Sequence, residues 1–429
     1  MEVTIIGAGI AGLSAAYHLE NHNIKYNIFE KNLRPGGLCK TEKTSGFLFD
    51  YTGHLLHFKN EYARTLVLNM LKNNINKHSR KAWIYSKGVY TPYPFQLYTY
   101  GLPISCRLEC LIGLIIKKVI PQKYTTFRGW IHSKFGYGIA KHFMEPYNKK
   151  LWQVRLDTLT TDWVNRFGGS IRIRDALQGA FFYNKHTIGY NAEFYYPIRG
   201  GIESIIHSFL RKVAHVKKNK TLIKLNLKKK QVIFNDKKIY HFDHLISTIP
   251  LPELIMKIEN APHIIKESAK QLRWISVYNL NLVVKNHNHT KHWVYLPEKE
   301  FNIYRFGFSS NFYKTNTPDK SIIYTEISYL PNVPLPSNIN ERIINDLIKA
   351  GVIKDKEDIF ITRALNIPYA YILFDNNHAR CVKNIQEFLI KNNIYSIGRF
   401  GGWNYGAIEE AIMDGKKIAD IIKFKVKQT

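Results

Sequence analysis

The first thirty residues leave the chain few choices. VTIIGAG, IAGLSAAYHLENH and YNIFE, within residues 3–30, run strand, glycine turn, helix, strand, which is a complete βαβ unit. Gly7, Gly9 and Gly12 form G-x-G-x-x-G between strand and helix, and Glu30 closes the second strand about 20 residues on. Gly7 permits the tight turn, Gly9 lets the backbone approach a pyrophosphate, and Gly12 lets helix and strand pack closely. The helix N-terminus offers N–H groups and the positive end of its dipole. Glu30 is placed to accept hydrogen bonds from a ribose. A glycine triplet alone is weak; in this context it predicts dinucleotide binding.

A second glycine pair follows in Lys31–Leu38, KNLRPGGL, so Gly36, Gly37 and Leu38 join the cofactor-binding candidates and favour FAD over NAD. The chain ends in IYSIGRFGGWNYGAIEEAIMDGKKIADII, again strand, glycine turn and helix, which returns to the first sheet and places a helix N-terminus beside the flavin. The predicted fold is α/β: a discontinuous Rossmann-like FAD-binding domain with a helical insert and an antiparallel-sheet substrate domain. The expected boundaries are residues 1–75, 191–270 and 386–429 for the three parts of the FAD-binding domain. Residues 76–99 and 271–385 supply the substrate domain, where runs such as ISVYNLNLVV and SIIYTEISYL suit an antiparallel sheet. Residues 100–190 form the helical insert.

Composition adds limits. With 429 residues, 45% hydrophobic and 22% charged, the chain can bury a sizeable core and is expected to be globular. The net charge of +29 draws phosphates or anionic surfaces, but no nucleic-acid reading motif or dense basic helix accompanies it, so no nucleic-acid partner is expected. Cys39, Cys106, Cys110 and Cys381 make no C-x-x-C pair and no His/Cys metal spacing, so no metal is expected. That cysteine usage, with an apolar strand at the very start, points to a cytoplasmic protein. The longest apolar run, Leu111 to Ile116, is stopped by Lys117 and Lys118 and is far short of the ~20 residues of a membrane span. A core-facing helix is the plain reading of that segment; peripheral contact of the basic helix with a membrane is the other.

Taken together, GAGIAGLSAA, PGGLCKTEKTSGFLFDYTGHLLHF, TPYPFQ, FMEPYNKKLWQVRLDTLTTDWVNRF, YYPIRGGIESI, WVYLPEKEFNIYRFGFSSN and GRFGGWNYG resemble the UDP-galactopyranose mutases of the eukaryotic type, within the wider amine oxidase and protoporphyrinogen oxidase group. The resemblance runs through nearly the whole chain, and EPYNKKLW, IYRFGFSSN and GRFGGWNY are its more specific parts. It implies a nucleotide-sugar (UDP-hexose) substrate whose pyranose and furanose forms are interconverted through a reduced-flavin N5 adduct. An external reductant such as NADPH and a role in cell-surface polysaccharide biosynthesis are implied with it; an oligomeric state is not.

By motif, the resemblance gives Arg166 and Arg305 as a diphosphate clamp and Tyr295, Tyr405 and Tyr369 as tyrosine contacts. Tyr93, Phe95, Gln96, Asn148 and Trp152 match positions lining the substrate pocket. The resemblance also implies that Gly398, Arg399 and Tyr405 of GRFGGWNY stand on the flavin side, and that His54, Arg305 and Arg399 are nearest the chemistry. Guanidinium suits a diphosphate because its fixed fork of donors meets phosphate oxygens in pairs. Two departures stand out: Thr52 replaces the first glycine of the family's Gly-Gly-His turn, and GAIEEAIMDGKKIAD is a shorter ending, closer to amine-oxidase-type enzymes. An FAD-dependent oxidoreductase of the amine oxidase or protoporphyrinogen oxidase type is therefore the alternative.

Overall fold

The computed structural model describes residues 2–120, 123–164, 172–182, 192–313 and 317–427. A four-stranded parallel sheet runs in the order Ile394–Ser396, His244–Ser247, Val3–Ile6, Tyr26–Phe29. Val3 lies opposite Tyr26 on one side and His244 on the other. Every residue of Val3–Ile6 and His244–Ser247 is buried, as in a parallel strand covered on both faces. The sheet thus gathers N-terminal, middle and C-terminal segments, the discontinuity expected of the α/β fold.

The helix Ile10–Asn21 packs against the last helix, Ile408–Val426, at very close range. A Cβ on Gly415 would lie 2.6 Å from the Ala15 nitrogen and 2.7 Å from the Ser14 Cβ. Ser14 Oγ donates to the Ile412 carbonyl at 2.7 Å, so the crossing is fixed by a hydrogen bond as well as by the missing side chain.

The second large sheet has seven strands in the order Ile359–Ile372, Trp274–Lys285, Lys320–Tyr329, Arg305–Phe308, Trp293–Tyr295, Ala82–Ser86, Val89–Pro92. It is antiparallel except where Trp293–Tyr295 runs parallel to Ala82–Ser86. Helix His378–Lys391 is continuous across the boundary expected at residue 385, and it packs beside Ile394–Ser396 and the helix His263–Lys270.

Within residues 104–181 the chain forms the helices Ile104–Val119, Phe127–Ile139, a π-helical turn Ala140–Met144, Glu145–Trp152 and Ile173–Phe181. Glycines again set the approach of the first two helices: a Cβ on Gly138 would sit 2.2 Å from the Glu109 carbonyl oxygen. Among the described residues no helix is long and apolar enough to cross a membrane.

Candidate active site

A single cavity of about 1370 Å³ runs from the glycine turn of the parallel sheet to the inner face of the antiparallel sheet. Its cofactor end is made of backbone. Gly7 has φ +95, a conformation glycine adopts without steric cost, and the Gly7 N–H donates to the Phe29 carbonyl at 2.8 Å. Gly12 is needed for packing, since a Cβ there would lie 2.0 Å from the Gly7 oxygen. Gly9 differs from both: its φ of −77 suits any residue, and an added Cβ would meet only Gly37 backbone, at 3.8 Å. The fold by itself has room for a side chain at Gly9, so a glycine there is explained by a group that must approach the backbone from the cavity. The cradle therefore fits a dinucleotide.

The second glycine pair folds onto the first. Gly36 N–H donates to the Ala8 carbonyl at 2.9 Å, and Gly36 pairs with Gly9 in an isolated parallel bridge. Glu30 is buried at the end of its strand and lines the cavity. One carboxylate oxygen accepts from Ala8 N–H at 2.9 Å and the other from Asn32 N–H at 2.9 Å, so the residue that would meet a ribose also holds the turn shut. Leu38, Gly398, Arg399 and Tyr405 also line the cavity. Arg399 donates to the carbonyls of Ala370 at 2.8 Å and Gly406 at 2.9 Å, which pins the C-terminal glycine turn to the strand Ile359–Ile372. Its guanidinium lies 4.9 Å from the Tyr405 ring centroid and 5.3 Å from that of Tyr371.

The opposite wall is made of side chains. Tyr295 and Arg305, ten apart in sequence, are direct partners across an antiparallel pair, so both face the cavity from adjacent strands. Tyr295 also meets the rings of Tyr93 at 5.2 Å and Tyr147 at 5.3 Å. Arg305 is not a solitary cation. Its Nη2 reaches both oxygens of Glu326, at 2.7 and 2.8 Å, and its Nε reaches one of them at 3.0 Å. Glu326 is fully buried and also accepts from the Tyr304 hydroxyl. Burial opposes the charge on Arg305, but Glu326 and the surrounding tyrosines outweigh it and raise its pKa well above the usual value. Among the described residues this pair is a neutralised unit at the cavity wall.

Between the two ends stands the turn carrying Thr52, Gly53 and His54, all against the cavity. Asp50 anchors it: its carboxylate accepts from Thr41 Oγ1 at 2.6 Å and Tyr196 Oη at 2.5 Å. A Cβ on Gly53 would meet the Tyr324 hydroxyl at 2.6 Å, so this glycine admits the tyrosine beneath the turn. Thr52 has φ +71, a strained position for a β-branched residue. Burial, then the Arg399 and Arg305 charges, depress the His54 pKa to about 4, against a hydrogen bond the ring donates to the Tyr51 backbone. His54 is neutral at pH 7, with Nδ1 buried and without a hydrogen-bond partner.

Gln96, Asn148 and Trp152 also line the cavity. The Asn148 amide is spent within its own helix, donating to the Met144 carbonyl at 2.7 Å and accepting from Trp152 Nε1 at 3.1 Å. Phe95 stands elsewhere: it is fully buried in the insert's core, stacked on Phe143 at 5.1 Å. The strand ends at Pro92 and residues 94–97 turn, with Leu97 N–H donating to the Pro94 carbonyl, so strand alternation does not carry Phe95 to the side of Tyr93. Tyr369 lines the cavity but stacks on Trp274 at 4.7 Å, and its hydroxyl is bonded to Glu253 in the helix Leu251–Lys257. Arg166 lies outside the described residues.

Several lining residues escaped the motif reading: Arg80, Tyr147, Trp163, Tyr324, Glu326 and Tyr371. Trp163 was within reach as the tryptophan of TDWVNRF. Glu326 carried one signal, a single acid inside the otherwise apolar and hydroxylic SIIYTEISYL.

A backbone cradle for a dinucleotide, a second glycine pair closing over it and a distinct wall facing it across one cavity define an FAD-dependent flavoprotein with separate cofactor and substrate sheets. The model of the family of flavin-containing amine oxidoreductases matches residues 10–423, and the chain belongs to that family. It is a flavin-dependent enzyme, and its cofactor is FAD. A crystal structure of reduced UDP-galactopyranose mutase superposes with a TM-score of 0.92 over 98% of this chain and 95% of that one, at 27% identity. The putative protoporphyrinogen oxidase of Exiguobacterium sp. 255-15 gives 0.76 over 99% of each chain at 14% identity, a likeness of fold alone. Among curated relatives, UDP-galactopyranose mutase of Mycoplasma genitalium is 22% identical over 57% of this chain and 58% of that protein, so the match spans less than two thirds of the relative.

Proposed function

We propose that the chain interconverts pyranose and furanose forms of a nucleotide sugar, a UDP-hexose, without net oxidation. The observation that carries this reading is the Tyr295–Arg305 pair on the cavity wall opposite the glycine cradle, supported by likeness to a reduced mutase over nearly the full chain. When bound and reduced, the flavin supplies a nucleophilic nitrogen for the sugar's anomeric carbon.

The chain's own residues then have separate tasks. Gly7 and Gly9 with the helix N-terminus hold the pyrophosphate of the cofactor, and Glu30 holds its ribose. Arg399 fixes the C-terminal turn while leaving cationic charge near the flavin. His54, neutral, offers a hydrogen bond rather than a charge to the reacting end. Tyr93, Tyr147, Tyr295 and Trp152 wall the cavity against water, and Arg305 with Arg166 meets the diphosphate. An external donor such as NADPH would reduce the flavin, and the product would serve cell-surface polysaccharide biosynthesis. Four free, buried cysteines suit a reducing, cytoplasmic setting.

One observation favours a second reading. Glu326 already neutralises Arg305, which weakens it as a phosphate ligand and suits an uncharged substrate of an FAD-dependent oxidoreductase. Dithionite-reduced protein should interconvert UDP-galactopyranose and UDP-galactofuranose, resolved by chromatography, with no stoichiometric use of reductant. Hydrogen peroxide formation in air on an amine or porphyrinogen, with no interconversion, would replace the mutase reading with the oxidoreductase one.

A further inference from the structure

The helix Ile104–Val119 is apolar on both sides, yet only one side is covered. Cys106, Cys110, Leu111, Gly113 and Leu114 are buried in the insert. Ile104, Leu108, Ile112, Ile115, Ile116, Val119 and the following Ile120 are between 44% and 73% exposed. At about 100° per residue these seven occupy an arc of roughly 160° opposite the buried stripe. An apolar arc of that width normally faces a core. Here it faces outward, and the neighbouring helix Ile173–Phe181 extends it with exposed Leu177 and Phe181. Arg107 Nη1 donates to the Ala180 carbonyl at 3.1 Å, tying the two helices edge to edge.

Basic groups outnumber acids around this face, although Glu109 falls within the arc. Each helix carries a single acid, and both acids are paired: Glu109 with Lys141 at 2.8 Å and His142 at 2.9 Å, Asp175 with Arg172 at 2.8 Å. Lys117 and Lys118 close the first helix and Lys123 follows, with Lys118 and Lys123 exposed. Lys117 donates to the Lys134 carbonyl.

We infer that this face docks on an anionic lipid bilayer. The isoleucines enter the boundary between headgroups and acyl chains, and Lys118 and Lys123 reach the lipid phosphates along their apolar stems. A second copy of the chain fits less well. A contact between copies brings together two molecules each of charge +29, whereas an anionic surface attracts that charge. The inner side of the insert meets the cavity through Phe127, Trp130 and Phe143, so docking leaves the active site free. The inference does not rest on the proposed reaction.

The full-length, FAD-loaded chain is sedimented with vesicles of phosphatidylcholine alone and of equal parts phosphatidylcholine and phosphatidylglycerol, at low and high salt. Wild type should partition to the anionic vesicles. Ile112→Glu/Ile116→Glu should lower partitioning by roughly tenfold or more, and Lys118→Glu/Lys123→Glu should lower it and flatten its salt dependence. Flavin absorbance and thermal midpoint report the fold, and Ile112→Ser/Ile116→Ser repeats the test should the glutamates disturb it. Absence of wild-type binding, or equal binding by the isoleucine variants, overturns the inference. A wild-type dimer that the isoleucine variants split, with no vesicle binding, assigns the face to contact between copies.

Discussion

The two ends of the cavity are built by opposite means. At the cofactor end the ligand-facing groups are backbone, and the sequence marks them by residues that lack side chains: Gly7, Gly9, Gly36 and Gly37. At the substrate end the surface consists of aromatic side chains from segments far apart in sequence and one buried ion pair between neighbouring strands. A backbone cradle tolerates little change and depends on conformation and close approach. A side-chain wall depends on packing and charge compensation, so its members fail through what they leave behind.

The largest contrast lies within the cradle itself. Gly12→Val places a side chain into the Gly7 carbonyl, where even a Cβ would sit at 2.0 Å. We expect loss of more than about 4 kcal/mol and little folded protein. Gly9→Val meets no such clash and should fold, with circular dichroism close to wild type, but purify without yellow colour. If both variants fold and keep stoichiometric FAD, the division between packing glycine and ligand glycine is wrong.

At the wall, the next effect concerns Glu326. Glu326→Ala leaves the Arg305 charge buried without its partner, which costs about 3–5 kcal/mol. Urea denaturation of FAD-loaded protein measures it, and a loss under about 1 kcal/mol would show that water or another group already solvates the arginine. The same pairing corrects the simplest test of a diphosphate clamp. Arg305→Ala strands Glu326 as well as removing a phosphate ligand, so loss of UDP binding in that variant would mix two causes. Tyr295→Phe is cleaner: it removes one hydroxyl and should weaken UDP binding by about 0.5–1.5 kcal/mol, read by calorimetry, with unchanged flavin content.

This division also explains what the sequence could disclose. The βαβ unit, the second glycine pair and the C-terminal turn are local: each motif contains its own geometry, and positions such as Gly7 and Gly36 need φ values that point to glycine directly. Tyr295 and Arg305 were legible because both stand in WVYLPEKEFNIYRFGFSSN, one of the stretches that carry the resemblance. Glu326 was not, because its meaning comes only from register, opposite Arg305 in the sheet. Phe95 came with Tyr93 and Gln96 from the motif TPYPFQ, which does not disclose that the turn after Pro92 sends its ring into the insert's core. The exposed outer arc of Ile104–Val119 could not be separated from its buried stripe, because both are apolar.

The turn between the two regions carries the smaller effects. The His54 pKa is about 4 in the folded protein against 6.5 ordinarily, so the unfolded chain binds its proton first as pH falls. Stability contributed by neutral His54 should be complete above pH 6.5 and decline between pH 6.5 and 4, by at most about 3 kcal/mol. The difference in urea stability between wild type and His54→Asn, measured across that window, isolates the effect from other groups. A difference that stays constant from pH 7 to 4 would show that His54 titrates alike in both states.

Thr52 gives the last and smallest expectation. A β-branched residue at φ +71 is strained, by about 1–2 kcal/mol for an L-residue in the left-handed region. Glycine relieves that strain but gives the unfolded chain more freedom, which returns about 0.5–1 kcal/mol. Thr52→Gly should therefore raise stability by about 0.5–1 kcal/mol, visible as a higher urea midpoint at unchanged slope. The gain should come with a looser turn, since Thr52 and Gly53 lie between the Asp50 anchor and His54. Faster hydrogen exchange at the Gly53 and His54 amides in the stabilised variant would show that the strained threonine holds this turn rigid between cradle and wall. A drop in stability would mean that Thr52 makes contacts worth more than its strain, and the turn would then belong to the packed wall.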